Sequence, residues 1–249
     1  MRALQAASFP VNSQLMRLRN IPEAKDIVAA SPHVVHDPRS RRGSWKSGRP
    51  LFIEIGMGKG RFIIETASVH PENDYLGIER YESVLFRACE RMDGIPYSTP
   101  ADQLEREADP EREAGFVPPS NLRFLCMDAA ELPEVFAPGE VDGIYLNFSD
   151  PWPKARHAKR RLTSKEFLAR YESILRCGGR IEFKTDNSSL FEFSVEEIGS
   201  ADHWEIEYVT RNLHRDPVLG AGNIMTEYER KFSNLGNPIM KLAAVYRGQ

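Results

Sequence analysis

The sequence predicts an α/β fold: a doubly wound, mostly parallel sheet of seven strands. Three observations predict it. From Leu51 onward, short apolar runs alternate with segments of helical spacing. That alternation marks strand–helix units, which build a parallel sheet with helices on both faces. Glycines and acids stand directly after several of the runs, where open α/β sheets bind their ligands. No internal repeat competes with this organisation.

Residues 1–50 hold no clear core strand and end in a basic stretch, Arg39, Arg41, Arg42, Lys46 and Arg49. They read as an N-terminal arm, mobile or ordered by a partner, ahead of a domain spanning 51–249. Leu51–Ile55 is a short apolar run ending in glycines, so a buried strand; a helix is expected over Arg61–Val69. A second strand over Tyr75–Ile78 and a helix over Glu82–Met92 follow. Residues 93–120 break the pattern with prolines flanking a charged stretch, which reads as an exposed insertion. Strands resume at Asn121–Met127 and Val141–Phe148. A helix over Thr163–Leu175 would place Phe167, Leu168, Tyr171 and Ile174 on one face, with Cys177-Gly178-Gly179 as its stop. Arg180–Lys184 is the fifth strand, Leu190–Ile198 a further helix, and Trp204–Val209 and Ile239–Val245 the last two strands.

Hydrophobic residues make up 41% of the 249, enough for a packed core. No apolar run approaches the roughly 18 residues of a membrane span, and the N-terminus carries no secretory pattern. Cys89, Cys126 and Cys177 are isolated, which argues against disulfides and zinc and predicts three core thiols in a reducing, cytoplasmic setting. No metal site is expected; His33 and His36 lie close together without further ligands. The net charge of −3 would count against a polyanionic partner. It is misleading: seven acids and two bases fall within 93–120, leaving 31 basic against 29 acidic residues elsewhere. Clustering, not the total, decides such binding.

The first strand runs into Glu54-Ile55-Gly56-Met57-Gly58-Lys59-Gly60. Gly56 and Gly58 allow a sharp turn and close approach of a ligand to the backbone. The spacing is G-x-G-x-G, not that of a dinucleotide binder. Glu54 would sit in a buried strand, where a carboxylate is costly unless paired. S-adenosylmethionine, with an ammonium and a sulfonium, offers that pairing; a pyrophosphate does not. Glu79, ending the second strand, suits two ribose hydroxyls, a feature NAD would share. Asp128, after the third, suits an adenine amino group and also the N-cap of a following helix. Together the three acids specify far more than any one.

The fourth strand leads into Asn147-Phe148-Ser149-Asp150-Pro151-Trp152-Pro153-Lys154. The prolines fix a rigid loop presenting Asp150 and Lys154 beside the cofactor. Arg156, His157, Lys159, Arg160 and Arg161 follow. Such a run is often only a solvated surface, but next to this loop it suits phosphate binding.

Here the chain resembles the bacterial tRNA (guanine-N7)-methyltransferases. The resemblance runs from about Met16 to the C-terminus. It rests on Tyr145–Lys154, Arg156–Arg161, Phe183-Lys-Thr-Asp-Asn187 and Gly222-Asn-Ile-Met-Thr-Glu-Tyr-Glu-Arg-Lys-Phe232. It implies a class I S-adenosylmethionine-dependent methyltransferase fold, with Glu54, Glu79 and Asp128 on the cofactor. Asp150 would be the catalytic acid, also near the cofactor. Lys154, Asp186, Thr226, Glu227, Tyr228 and Glu229 would contact substrate, and Arg156–Arg161 would lie on tRNA. The expected substrate is a variable-loop guanine, and the protein a monomer or homodimer. Because Met16–Lys25 is similar to how family members begin, the expectation is either that translation starts at Met16 or that residues 1–15 are dispensable. The alternatives are a methyltransferase for another RNA base or a small molecule, a non-catalytic RNA-binding protein, and a dinucleotide-dependent oxidoreductase.

Overall fold

A computed structural model of the chain describes residues 21–95 and 116–248. Residues 1–20 and most of the anticipated insertion, 96–115, lie outside them. The strands are β1 (Leu51–Ile55), β2 (Asp74–Glu79), β3 (Leu122–Cys126), β4 (Val141–Asn147), β5 (Leu175–Thr185), β6 (Trp204–Thr210) and β7 (Met240–Tyr246). The main helices are α1 (Pro22–Ala30), α2 (Arg61–Val69), α3 (Glu82–Met92), α4 (Leu132–Val135), α5 (Lys165–Glu172), α6 (Ser188–Gly199) and α7 (Glu227–Asn234).

The seven strands form one sheet in the order β3-β2-β1-β4-β5-β7-β6. Strands β1 to β5 are parallel, and β7 runs antiparallel between β5 and β6. Alternation along each strand feeds two cores. Ile53, Ile144, Ile181 and Phe183 pack against Val135, Tyr171, Phe191 and Ile198, placing α4, α5 and α6 on one face. Tyr75, Leu122 and Phe124 pack against Val28, Ile63, Leu85 and Cys89, placing α1, α2 and α3 on the other. The chain reverses its direction of winding between β1 and β4, and their carboxyl ends flank the crevice where this architecture binds ligands.

Residues 21–50 pack on this domain. Ala24 and Val28 of α1 are buried, and Trp45 donates Nε1–H to the Val135 carbonyl at 2.9 Å. The basic stretch is held in the same way: Arg39 pairs with Glu131 and Glu134, Lys46 with Asp142, and Arg49 with Asp74.

Two expectations need correction. The fifth helix ends at Glu172, and Gly178-Gly179 belong to β5. Val141 pairs with Leu175 but Gly143 with Arg180, so residues 176–179 bulge opposite Asp142. Arg176 Nε donates to Asp142 Oδ1 at 2.6 Å and ties the bulge down. Of the three cysteines only Cys89 is a core residue; Cys126 is half-buried and Cys177 exposed. Among the described residues no helix is long and apolar enough to cross a membrane.

Candidate active site

The turn after β1 is made by glycines in the left-handed region: Gly56 at φ 73°, Gly58 at 59° and Gly60 at 79°. Gly56 and Met57 both donate their N–H to the Ile78 carbonyl, at 2.9 and 3.1 Å, so the turn folds over the end of β2. A Cβ on Gly56 or Gly58 would meet nothing within 4 Å, which leaves open space above the turn. At Gly60 a Cβ would lie 2.9 Å from that of Ala88, so glycine there serves helix packing.

Glu54 is 1% exposed. Its Oε1 accepts from Asn147 Nδ2 at 2.8 Å, bridging β1 and β4 across the crevice. Its Oε2 is buried without a hydrogen-bond partner among the described residues. Burial pushes the carboxyl up to about 8, against the pull of the Asn147 bond, the nearby Lys184 ammonium and the Ile63 N–H. Such a group is primed for a cation, since an ammonium at Oε2 would satisfy both its charge and its free lone pairs.

Glu79 ends β2, where Oε2 accepts from Gly58 N at 3.2 Å and Oε1 from Tyr81 N at 3.0 Å. Burial raises its carboxyl above the usual range, and the charge of Asp150 adds to the rise. Asp150 lies three residues beyond the carboxyl end of β4, beside the crevice. Asp128 caps the short 3-10 turn Ala129–Glu131, accepting from Ala130 N at 2.9 Å, and pairs with Arg80 at 3.3 Å.

The loop after β4 is strained. Phe148 at φ 53° and Trp152 at φ 40° are the non-glycine residues with left-handed backbone among those described. Each such conformation costs on the order of 1–3 kcal/mol and persists only where neighbours enforce it. Phe148 N donates to the Lys184 carbonyl at 2.8 Å. Arg161 donates Nε–H to the Pro151 carbonyl at 3.0 Å and an Nη2 hydrogen to that of Trp152 at 3.1 Å. Its guanidinium rests on the Phe193 ring, 4.2 Å from the centroid. Asp150 is exposed between these anchors. Lys154 is exposed just ahead of the following 3-10 segment and Arg156, Lys159 and Arg160 are exposed on it, with Arg160 lying over the Trp152 ring at 5.0 Å. Trp152 also meets His157 edge-on.

Asp186 follows β5. Tyr228 donates its hydroxyl to Asp186 Oδ2 at 3.3 Å, and its ring lies between Phe148 at 4.9 Å and Phe232 at 4.1 Å. Phe148, Asp186 and Tyr228 therefore form one wall beside Asp150's loop. Thr226 caps α7, its Oγ1 accepting from Glu229 N at 2.9 Å. The neighbouring acids are used elsewhere. Glu227 pairs with Arg91 of α3, and Glu229 is fully buried against Lys184, His214 and Asn223.

Sequence reasoning missed Asn147, Phe148, Lys184, His214 and Asn223 as site residues. One signal was available: Lys184 ends the expected fifth strand, Arg180–Lys184, beside Phe183, at the end of the sheet where ligands bind. Among the described residues no group of three or more His, Cys, Asp or Glu could hold a metal ion.

A family model described as "Putative methyltransferase" matches residues 48–242. The chain is similar to the tRNA (guanine-N(7)-)-methyltransferase of Lachnoclostridium phytofermentans, 48% identical over 233 residues, covering 92% of this chain and 98% of the relative. It is also similar to that of Geobacillus thermodenitrificans, 45% identical over 235 residues, covering 92% and 97%. Among solved structures, the 16S rRNA methyltransferase KamB aligns with a TM-score of 0.53 at 14% identity, over 85% of this chain and 91% of that one. An antibiotic-related methyltransferase aligns at 0.50 and 16% identity, over 93% and 97%. At these identities the two structures speak for the fold alone.

Proposed function

The chain belongs to the tRNA (guanine-N7)-methyltransferase family, and from that premise we propose that it methylates N7 of a variable-loop guanine, with Asp150 as the catalytic carboxylate. It is an enzyme that takes its methyl group from S-adenosylmethionine. Support for the site comes chiefly from one observation: Glu54 is buried with an oxygen lacking a partner, at the switch point of the sheet.

The residues fit this cofactor. It supplies, when bound, a methyl group made electrophilic by the sulfonium. Glu54 takes the ammonium of its methionyl end, Glu79 the ribose hydroxyls and Asp128 the adenine amino group. Gly56 and Gly58 leave room for it above the turn.

Guanine N7 carries a free lone pair, so no general base is needed to make the nucleophile. The protein's work is positioning, which contributes up to about 7–11 kcal/mol in favourable cases, together with electrostatics. Asp150 stabilises the positive charge that reaches the purine and orients the base through its N1 and N2 donors. Asp186, Thr226 and Tyr228, with Phe148, shape the slot for the base. Lys154, Arg156, His157, Lys159 and Arg160 hold phosphates along the exposed segment, where they dominate affinity. N7 is inaccessible in a paired RNA stem, so the base is exposed or flipped to react. We place the enzyme in the cytoplasm, acting as a monomer or homodimer.

Asp150→Ala tests this reading. Single-turnover methylation should fall at least about 100-fold, the scale set by removing one group that stabilises developing charge. Affinity for tRNA, measured by filter binding, should change little. Parallel loss of tRNA binding would make Asp150 a docking residue instead.

A further inference from the structure

We propose that Lys184 is a positioning residue for the guanine slot, and that Glu229 is its buried counter-ion rather than a group that touches the substrate. The inference rests on the reading above that the slot between Asp150 and Asp186 takes the guanine.

Lys184 is the penultimate residue of β5 and is 3% exposed. An ammonium has three hydrogens to donate. Here they meet three acceptors: Glu229 Oε2 at 2.8 Å, the Ile224 carbonyl at 2.9 Å and Asn223 Oδ1 at 3.2 Å. All three belong to one stretch, 223–229, which carries the cap and first turn of α7. The Lys184 backbone acts in the other direction, its carbonyl accepting from Phe148 N at 2.8 Å. One residue thus anchors the start of the Asp150 loop through its main chain and the Tyr228 segment through its side chain. Phe148 and Tyr228 then meet at 4.9 Å, and Tyr228 reaches Asp186.

Glu229 is saturated from within the chain. Its Oε1 receives His214 Nε2 at 2.8 Å and Asn223 Nδ2 at 2.6 Å, while Oε2 receives Lys184. It is 0% exposed. Burial would raise its carboxyl, but the Lys184 charge and these bonds outweigh burial and hold it below the usual range. No face of it is open to a base. The residue in this stretch that faces the wall is Tyr228, one position before.

The test uses the full chain with two tRNA substrates, one carrying guanine and one carrying inosine at the position that the wild-type enzyme methylates. Inosine lacks the N2 amino group that a carboxylate reading the base would bind. If the wild type forms no 7-methylguanosine, the functional reading fails before any variant is judged. In Glu229→Gln, kcat/KM should fall at least about tenfold on both substrates, with the guanine-to-inosine ratio kept within about twofold. A collapsed ratio would make Glu229 a base contact and overturn the proposal. The double variant Lys184→Met/Glu229→Met removes both charges, which spares the cost of burying one alone. Where it melts within a few degrees of the wild type, KM for tRNA should rise at least about tenfold. Wild-type KM and kcat in that folded variant would reduce the pair to a structural role.

Discussion

Glu54 illustrates how a function is built against stability. Its carboxyl is buried, half-satisfied by Asn147 and pushed up to about 8. A carboxyl whose folded value is raised stabilises the fold fully below its unfolded value and loses that contribution as pH rises through the folded value. The cofactor-free protein should therefore lose stability from this group between about pH 4.5 and 8. Glu54→Gln keeps an acceptor for Asn147 and removes the buried charge. It should raise the melting temperature of the cofactor-free protein more at pH 8 than at pH 5, and abolish cofactor binding by calorimetry. An equal change at both pH values would mean that Glu54 does not titrate in this range. The residue was legible in sequence because an acid inside an apolar run beside a glycine turn is conspicuous. Its partner Asn147 was not, because nothing in the spacing of Glu54 and Asn147 shows that β1 and β4 become neighbours.

At the scale of elements, the loop from Phe148 to Arg161 is held in a strained form by bonds from outside it. Sequence reasoning placed the loop and its charges but read Arg156–Arg161 as one RNA-facing unit. Arg161 instead turns inward to two loop carbonyls, a distinction that periodicity cannot make within a continuous basic run. The two kinds of arginine should separate by experiment. Arg161→Gln should lower kcat by about 10- to 100-fold through misplacement of Asp150, with the salt dependence of tRNA binding unchanged. Lys159→Gln/Arg160→Gln should flatten that dependence by roughly 0.7–0.9 log units for each phosphate no longer neutralised. A flatter salt slope in Arg161→Gln would return it to the RNA surface. Helix α7 was legible in part: Thr226-x-x-Glu229 has the form of a capping box. Glu229 departs from that motif by reaching across to Lys184, which only the packing of α7 on β5 reveals.

For the whole molecule, the alternation of apolar runs and helical spacing was enough to predict a doubly wound sheet, because each strand's burial is written in its own residues. The role of residues 21–50 was not, because α1 buries only Ala24 and Val28, too short a stripe to read as an amphipathic helix. Trp45, buried between the arm and the domain with its N–H on Val135, joins the two. Trp45→Ala should cost about 3–5 kcal/mol, the range for a large aromatic removed from a core, read from urea unfolding; a cost below about 1 kcal/mol would mean that the segment folds independently of the sheet. Removing this side chain leaves the cofactor end of the sheet untouched, so folded Trp45→Ala protein should keep its turnover. The kinetic effects presuppose the reaction itself, and product identity tests that most directly. The protein is incubated with methyl-labelled S-adenosylmethionine and unmodified tRNA, and the digested nucleosides are separated. The expected result is label in 7-methylguanosine, appearing at least about 100-fold more slowly in the Asp150→Ala reaction; label in any other nucleoside would contradict it.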